Sequence, residues 1–302
     1  MGDPVVIEAA LNGGRDRREH PAVPLSPSEI AAEAARCAAA GASLVHVHAR
    51  DVAGGWNDDA DRYAETIRLI RGAAPGLPVS ITSIRPDGVG IGTTILLLNA
   101  LAVEPGALPD AMSVNLGHIA AWEPDAAGGR RTVHYPNGYK DVAGLLRACE
   151  TFGIRPELGV MDFGFVSNAA ALRDDGRLPP EPWFLLELDS PGFGQPPQVA
   201  PSTVTAYDAL AAALREQFPG ARWAAHGQGV GTYAIVQRAL ETGQHVRVGF
   251  EDAVVLPDGR IPESNAELVE WAVAAARAAG REPSSASEMR RIVGLPPAEA
   301  EG

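Results

Sequence analysis

The stretch SPSEIAAEAARCAAAGASLVHVHARD, residues 26–51, decides the architecture. Its first half carries the marks of a helix: Ser26 as N-cap, Pro27 at the first helical position, Glu29 at the capping-box position, an alanine-rich body and Gly41 as the stop. Its second half is a β-branched strand from Ser43 to Ala49. Another apolar strand, Val5 to Leu11, precedes the helix across a polar loop, so the chain opens as strand, helix, strand. That is the repeating unit of parallel α/β sheets.

The rhythm persists to the C-terminal end. Strands are expected over about 77–82, from Asp110, over 156–163, and from Trp183, Ala221 and His245. Helices are expected from Asp59 to Arg71, near 90–103, 138–153, 168–174, 202–218 and 230–242, and over SNAELVEWAVAAARAAG with its Ser cap and Gly end. Eight strands alternating with eight helices imply a single (β/α)8 TIM barrel over residues 1–302, with a C-terminal helical extension from about 263. A doubly wound sheet would show a glycine-rich turn after the first strand, and the turn after LNGG is long, polar and proline-containing. GQGVGT at 227–232 lacks the full dinucleotide spacing and reads equally well as a tight turn, and residues 190–202 read as a loop.

Composition narrows the function. Lys+Arg number 25 against 38 Asp+Glu, a net charge of -13, which excludes a nucleic-acid binder because phosphate recognition needs a dense cationic face. Lys140, the single lysine, sits in HYPNGYKD and has the context of a loop, so a Schiff-base mechanism is not expected. Cys37 and Cys149 are far apart, which supports neither a disulfide nor a thiolate metal site and fits a reducing cytoplasm. The longest apolar window, Ile91 to Val103, is too short for a bilayer, and the acidic start MGDPVV is unlike a signal peptide. Gly2 is the position a myristoylation signal would use, but the residues after it read as the first barrel strand.

Two strings carry chemistry. In LVHVHARD, His46 and His48 stand at i and i+2 on one strand and so point to the same side. Two inward imidazoles near a barrel's C-terminal face can chelate one metal ion. The bland alternative, a chance pair with one hydrogen-bonded core histidine, has to explain two polar rings in an apolar strand, which cost several kcal/mol unless both find partners. In VRVGFEDAV, Glu251 and Asp252 lie just past the last strand. Glu251 could complete a two-histidine, one-carboxylate site, leaving Asp252 free as a base and Arg247 to pair with it or to hold a carboxylate. Without the histidine pair, the two acids would read as ordinary loop charges. Glu8, in the middle of the first strand, is expected to be buried and paired with an arginine inside the barrel.

LNGG, PAVPLSPSEI, AGASLVHVHARD, MSVNLG, RVGFED and SNAELV together resemble the β-keto acid cleavage enzymes, from about residue 5 to 295. The resemblance implies a zinc-dependent barrel that converts a β-keto acid and acetyl-CoA into acetoacetate and a new acyl-CoA. Position by position it implies His46, His48 and Glu251 as metal ligands, Asp252 as the base and Arg247 as its support. It places substrate contacts on Thr82 or Ser83, on Ser113 and on Asn115 with Gly117, and it implies a homotetramer. Where members acting on amino-substituted keto acids carry acids, this chain has Arg15 and Gly159, so an uncharged or anionic tail is expected. Arg15 would then meet a substrate carboxylate or a CoA phosphate, or else be a solvated loop arginine. His226, where relatives commonly have a small residue, reads as substrate-facing or supporting in preference to a further ligand, and His118 and Asp162 read as pocket lining. Two other barrel chemistries compete. A metal-dependent hydrolase of the amidohydrolase kind would carry its HxH on the first strand and more histidines later, and a retro-aldol lyase would carry the pair late in the chain.

Overall fold

A computed structural model describes residues 2–51, 54–86, 88–189 and 199–297. Most of the expected 190–202 loop therefore lies outside the described residues. Eight parallel strands close into a barrel: β1 (Ile7–Ala10), β2 (Leu44–Val47), β3 (Val79–Ile81), β4 (Ala111–Asn115), β7 (Arg155–Val160), β8 (Trp183–Glu187), β9 (Arg222–His226) and β10 (His245–Val248). Around the ring they run β1-β10-β9-β8-β7-β4-β3-β2, so the last strand closes on the first. The outer layer is α1 (Pro27–Ala40), α2 (Ala60–Ala73), α3 (Gly92–Ala102), α4 (Tyr139–Phe152), α5 (Phe163–Asp174), α6 (Val204–Gln217), α7 (Gly231–Glu241) and α8 (Asn265–Ala278). The TIM barrel expected from the strand and helix rhythm is what the chain forms.

Local chemistry sets the element ends. Ser26 and Glu29 form the capping box of α1, and Gly41 adopts a left-handed backbone that stops it. Helix α5 begins five residues before its expected start because Asp162 caps it, its carboxylate accepting the Phe165 N–H at 3.1 Å. Asp162 is thus a cap and not merely lining. Lys140 lies in the first turn of α4 and is exposed. Cys37 and Cys149 are free and buried, and among the described residues no helix is long and apolar enough to cross a membrane.

One ribbon was not anticipated, and the C-terminal segment takes a definite place on the barrel. Between β4 and α4 the chain forms an antiparallel ribbon, β5 (Ile119–Pro124) and β6 (Arg130–Tyr135), whose tip stacks Arg130 over the Trp122 ring at 3.9 Å. His118 pairs there with His134 at 3.2 Å, exposed and outside the barrel. Beyond α8, helix α9 (Ala286–Val293) brings Met289 and Val293, with Leu295, against Val6, Leu44, Trp183, Leu185 and Ala224. Val6, Leu44 and Trp183 sit at the N-terminal ends of their strands, so α9 floors the barrel, tied to the residue before β4 by the Arg290–Asp110 ion pair at 2.5 Å. The open end is the C-terminal one, where TIM barrels keep their chemistry.

Candidate active site

Strand β2 is buried along its length, and His46 faces Ser80 on β3 in register. Its Nδ1 lies 3.1 Å from Ser80 Oγ, and that hydroxyl donates its proton to Glu157 on β7. The hydroxyl oxygen therefore accepts from Nδ1–H, which leaves Nε2 as the lone-pair nitrogen. Burial pulls His46 down to about 3, so the ring is neutral. Two residues on, His48 is gripped by Asn12 of the LNGG loop, whose amide accepts the His48 N–H at 3.0 Å and donates to the His48 carbonyl at 2.9 Å.

The third group comes across the closing seam. Gly249 follows β10 at φ +149, and a Cβ there would overlap the carbonyl oxygen of Ala10 on β1. This close approach lets the Glu251 N–H reach Ala10 O at 3.2 Å. Its carboxylate then sits 3.9 Å from His46 Nε2 and 3.6 Å from His48 Nε2. Ligand-type atoms of the three residues lie within 4.8 Å of one another. His48 Nε2 and Glu251 Oε2 are both buried without a hydrogen-bond partner, a cost that a coordinated cation would remove. Burial pushes the Glu251 carboxyl up, but Arg247, His48 and His46 outweigh it and hold it well below the usual range. Two imidazoles and a carboxylate fit a divalent cation with positions left open.

Behind this trio lies a second layer. Arg247 reaches Glu251 at 2.7 Å and grips Asp252 through Nε at 3.2 Å and Nη2 at 3.0 Å. His226, from the end of β9, places Nδ1 3.1 Å from Asp252 and Nε2 3.8 Å from Glu187 at the end of β8. Burial disfavours its charged form, yet Asp252 raises it to about 9, so His226 is an imidazolium between two carboxylates. Burial pushes Asp252 up too, but Arg247 and His226 prevail and keep it ionised.

The other candidates are spread around the same end of the barrel. Thr82 and Ser83 are buried just past β3, Ser113 midway along β4 and Asn115 at its end. Thr82 Oγ accepts the Ile84 N–H at 2.9 Å, and Ser83 lends its carbonyl to Arg85 at 2.7 Å. Arg15 is committed to protein: Nε donates to Phe250 O at 2.7 Å, and the guanidinium pairs with Glu19. The GQGVGT turn is likewise occupied by protein, with Gly229 N donating to Asp252 O at 2.8 Å and Gln228 N to Ser202 Oγ at 2.7 Å. Glu8 is fully buried, but no arginine hydrogen-bonds it, and both its oxygens lack partners. Its near neighbour is another acid, Glu157. Burial first, then that repulsion, raises Glu8 well above its ordinary value, and burial lifts Glu157 to about 7. Sequence reasoning missed Ser80, Glu157 and Glu187. The acids could have been found by the same sign that singled out Glu8, a carboxylate inside an apolar strand.

The family model for beta-keto acid cleavage enzymes matches residues 4–295. A 3-keto-5-aminohexanoate cleavage enzyme of Fusobacterium nucleatum is 30% identical over 298 residues, covering 98% of this chain and 99% of the relative. A 3-oxoadipate:acetyl-CoA acetyltransferase of Cupriavidus necator is 27% identical, covering 100% of this chain and 99% of its own. Among solved structures, the apo form of ObcA superposes with a TM-score of 0.72 at 21% identity, over 91% of this chain and 66% of ObcA, and shows the shared fold. The chain belongs to the β-keto acid cleavage enzymes, carbon–carbon bond cleaving acyltransferases built on a TIM barrel.

Proposed function

We propose that the protein is a zinc-dependent enzyme that takes a β-keto acid and acetyl-CoA to acetoacetate and a new acyl-CoA. The observation that carries the proposal is the meeting of His46, His48 and Glu251 with the Arg247–Asp252 pair at one end of the barrel. A divalent cation held by the three ligands would polarise the substrate's ketone and acidify the neighbouring C–H. Zinc suits the donor set. Asp252 takes the proton from the carbon between ketone and carboxylate, and Arg247 keeps that carboxylate oriented and ionised until then. The carbon then forms a bond to the acetyl carbonyl as CoA thiolate leaves. Its bond to the original acyl group breaks as CoA thiolate takes that group, and Asp252 returns its proton to the freed carbon, so one C–C bond forms and one is lost.

In this reading the Thr82 and Ser83 hydroxyls receive the substrate carboxylate, and Ser113 and Asn115 wall the pocket on β4. His226 steadies Asp252 and is not a ligand. Arg15 meets an anionic group of substrate or CoA only on releasing Glu19. A cytoplasmic homotetramer is the state expected of it, and light scattering on the purified protein checks the tetramer. The reaction is tested by incubating zinc-loaded protein with acetyl-CoA and a panel of β-keto acids. Acetoacetate is expected; its absence with every substrate, alongside water-only cleavage of a lactone or amide, would overturn the reading. Zinc content unchanged by His46→Ala with His48→Ala would overturn the ligand assignment.

A further inference from the structure

We infer that Glu187 and Asn115 form the subsite for the substrate's tail and that it selects an ammonium group; the inference rests on the β-keto acid reading above. Gly159 on β7 stands in register with Asn115 on β4 and Leu185 on β8. The space its side chain would fill is taken from both sides: a Cβ there would overlap Glu187 Oε1 and Asn115 Oδ1. The acid absent from β7 is thus supplied by the neighbouring strand, into the same space. The expectation of an uncharged or anionic tail rested on Arg15 and Gly159 together; Arg15 is taken up by Phe250 O and Glu19, and Glu187 supplies an acid beside Gly159, which favours a cationic tail.

Both oxygens are buried, with Glu187 7% and Asn115 2% exposed, and neither has a hydrogen-bond partner. Two acceptors crowd one space with no donor between them, and one belongs to a carboxylate. The other Glu187 oxygen faces the His226 imidazolium at 3.8 Å, which leaves Oε1 for a ligand. An alkyl tail would leave both acceptors unsatisfied, and a carboxylate tail would add repulsion. An ammonium group supplies several donors and a charge to match. A single imidazole separates the subsite from Asp252, so a tail running away from the reacting carbon ends beside it.

The test is calorimetric titration of the zinc-loaded protein without acetyl-CoA, so that nothing turns over. The ligands are a 3-oxo acid with a 5-ammonium group, its 5-methyl isostere and a 3-oxodicarboxylate. The ammonium ligand is expected to bind about tenfold or more tightly than the isostere, the scale of one charge-assisted hydrogen bond. Glu187→Gln should cut that preference to within about threefold. Gly159→Ala, which crowds both oxygens, should do the same and carries the test if Glu187→Gln fails to fold. Equal or tighter binding of the isostere or the dicarboxylate by the unmutated protein overturns the inference, as it would if the Asn115 amide turned over and satisfied Glu187 internally. So does a preference that survives both substitutions. Adding acetyl-CoA afterwards separates the two claims: no acetoacetate from any ligand defeats the reaction reading, while the binding order still decides the subsite.

Discussion

Replacing Gly249 by Ala should damage stability and cation binding together, because this glycine holds the seam between the last strand and the first. An alanine there is forced to φ +149, a backbone state worth about 1–3 kcal/mol of strain. Its Cβ would overlap Ala10 O and come within 2.7 Å of the Ala10 carbonyl carbon and 2.8 Å of its nitrogen. Backbone on both strands must therefore move, an overpacking cost of about 1–3 kcal/mol. That movement strips the Glu251 N–H from Ala10 O, about 0.5–1.5 kcal/mol more. The expected loss is about 2.5–7.5 kcal/mol, a large part of a domain's usual stability. Gly243→Ala is the control, since φ is +79 there and nothing lies within 4 Å of a Cβ. It should lose only the left-handed penalty, about 1–2 kcal/mol. Urea unfolding followed by tryptophan fluorescence measures both, and chelator competition measures zinc affinity on the folded fraction. If Gly249→Ala loses no more stability than Gly243→Ala and binds zinc as tightly as the parent, the closing-seam argument is wrong.

Other outcomes rest on the same geometry. Ser80→Ala removes the acceptor that keeps the His46 Nδ1 proton in place, so zinc should bind about 10–100-fold more weakly by chelator competition. Asp252→Asn should cut turnover at least about a hundredfold while zinc stoichiometry stays unchanged; full turnover would remove Asp252 from the chemistry. His245 is buried at the barrel floor with Nδ1 accepting the Val6 N–H at 3.0 Å, and burial, then Arg281 and Arg222, pull it from 6.5 to about 3. Below pH 6.5 the unfolded chain gains a proton that the folded chain refuses, so stability from this group falls as pH drops toward 3, by up to about 1.4 kcal/mol per pH unit. His245→Asn keeps an acceptor but loses that slope, so its stability relative to the parent should rise by about 2 kcal/mol between pH 7 and 5 in urea titrations.

The barrel was legible because its rules are local. Ser26, Glu29 and Gly41 announce a helix wherever it packs, and alternation from Ser43 to Ala49 announces a strand. The β5–β6 ribbon escaped because it packs outside the strand–helix repeat, and its exposed β6 lacks a buried face to set a clear apolar pattern. In the site, His46 and His48 were readable as a pair because two residues of strand separate them. Glu251 and Asp252 were readable because they come just after a strand end. Glu187 and Glu157 offered only the sign of an acid inside an apolar strand and Ser80 none, since their roles depend on which strands become neighbours around the ring. Glu8 is buried as expected but its expected arginine pair is not made: Arg247 stands in register with it on β10, and Asp252 and Glu251 hold its guanidinium.

The placement of the three candidate ligand residues has a temporal consequence. His46 and His48 belong to the second strand and Glu251 comes after the last, with β1 wedged between them in the ring. About 200 residues must be synthesised and folded before the trio can meet, the kind of long-range closure that slows folding. Any nascent chain shorter than that exposes an incomplete ring edge and half a chelate. A cation held by the completed trio would act as a clasp on the ring, so its uptake and the final zipping of the barrel should draw on one shared equilibrium.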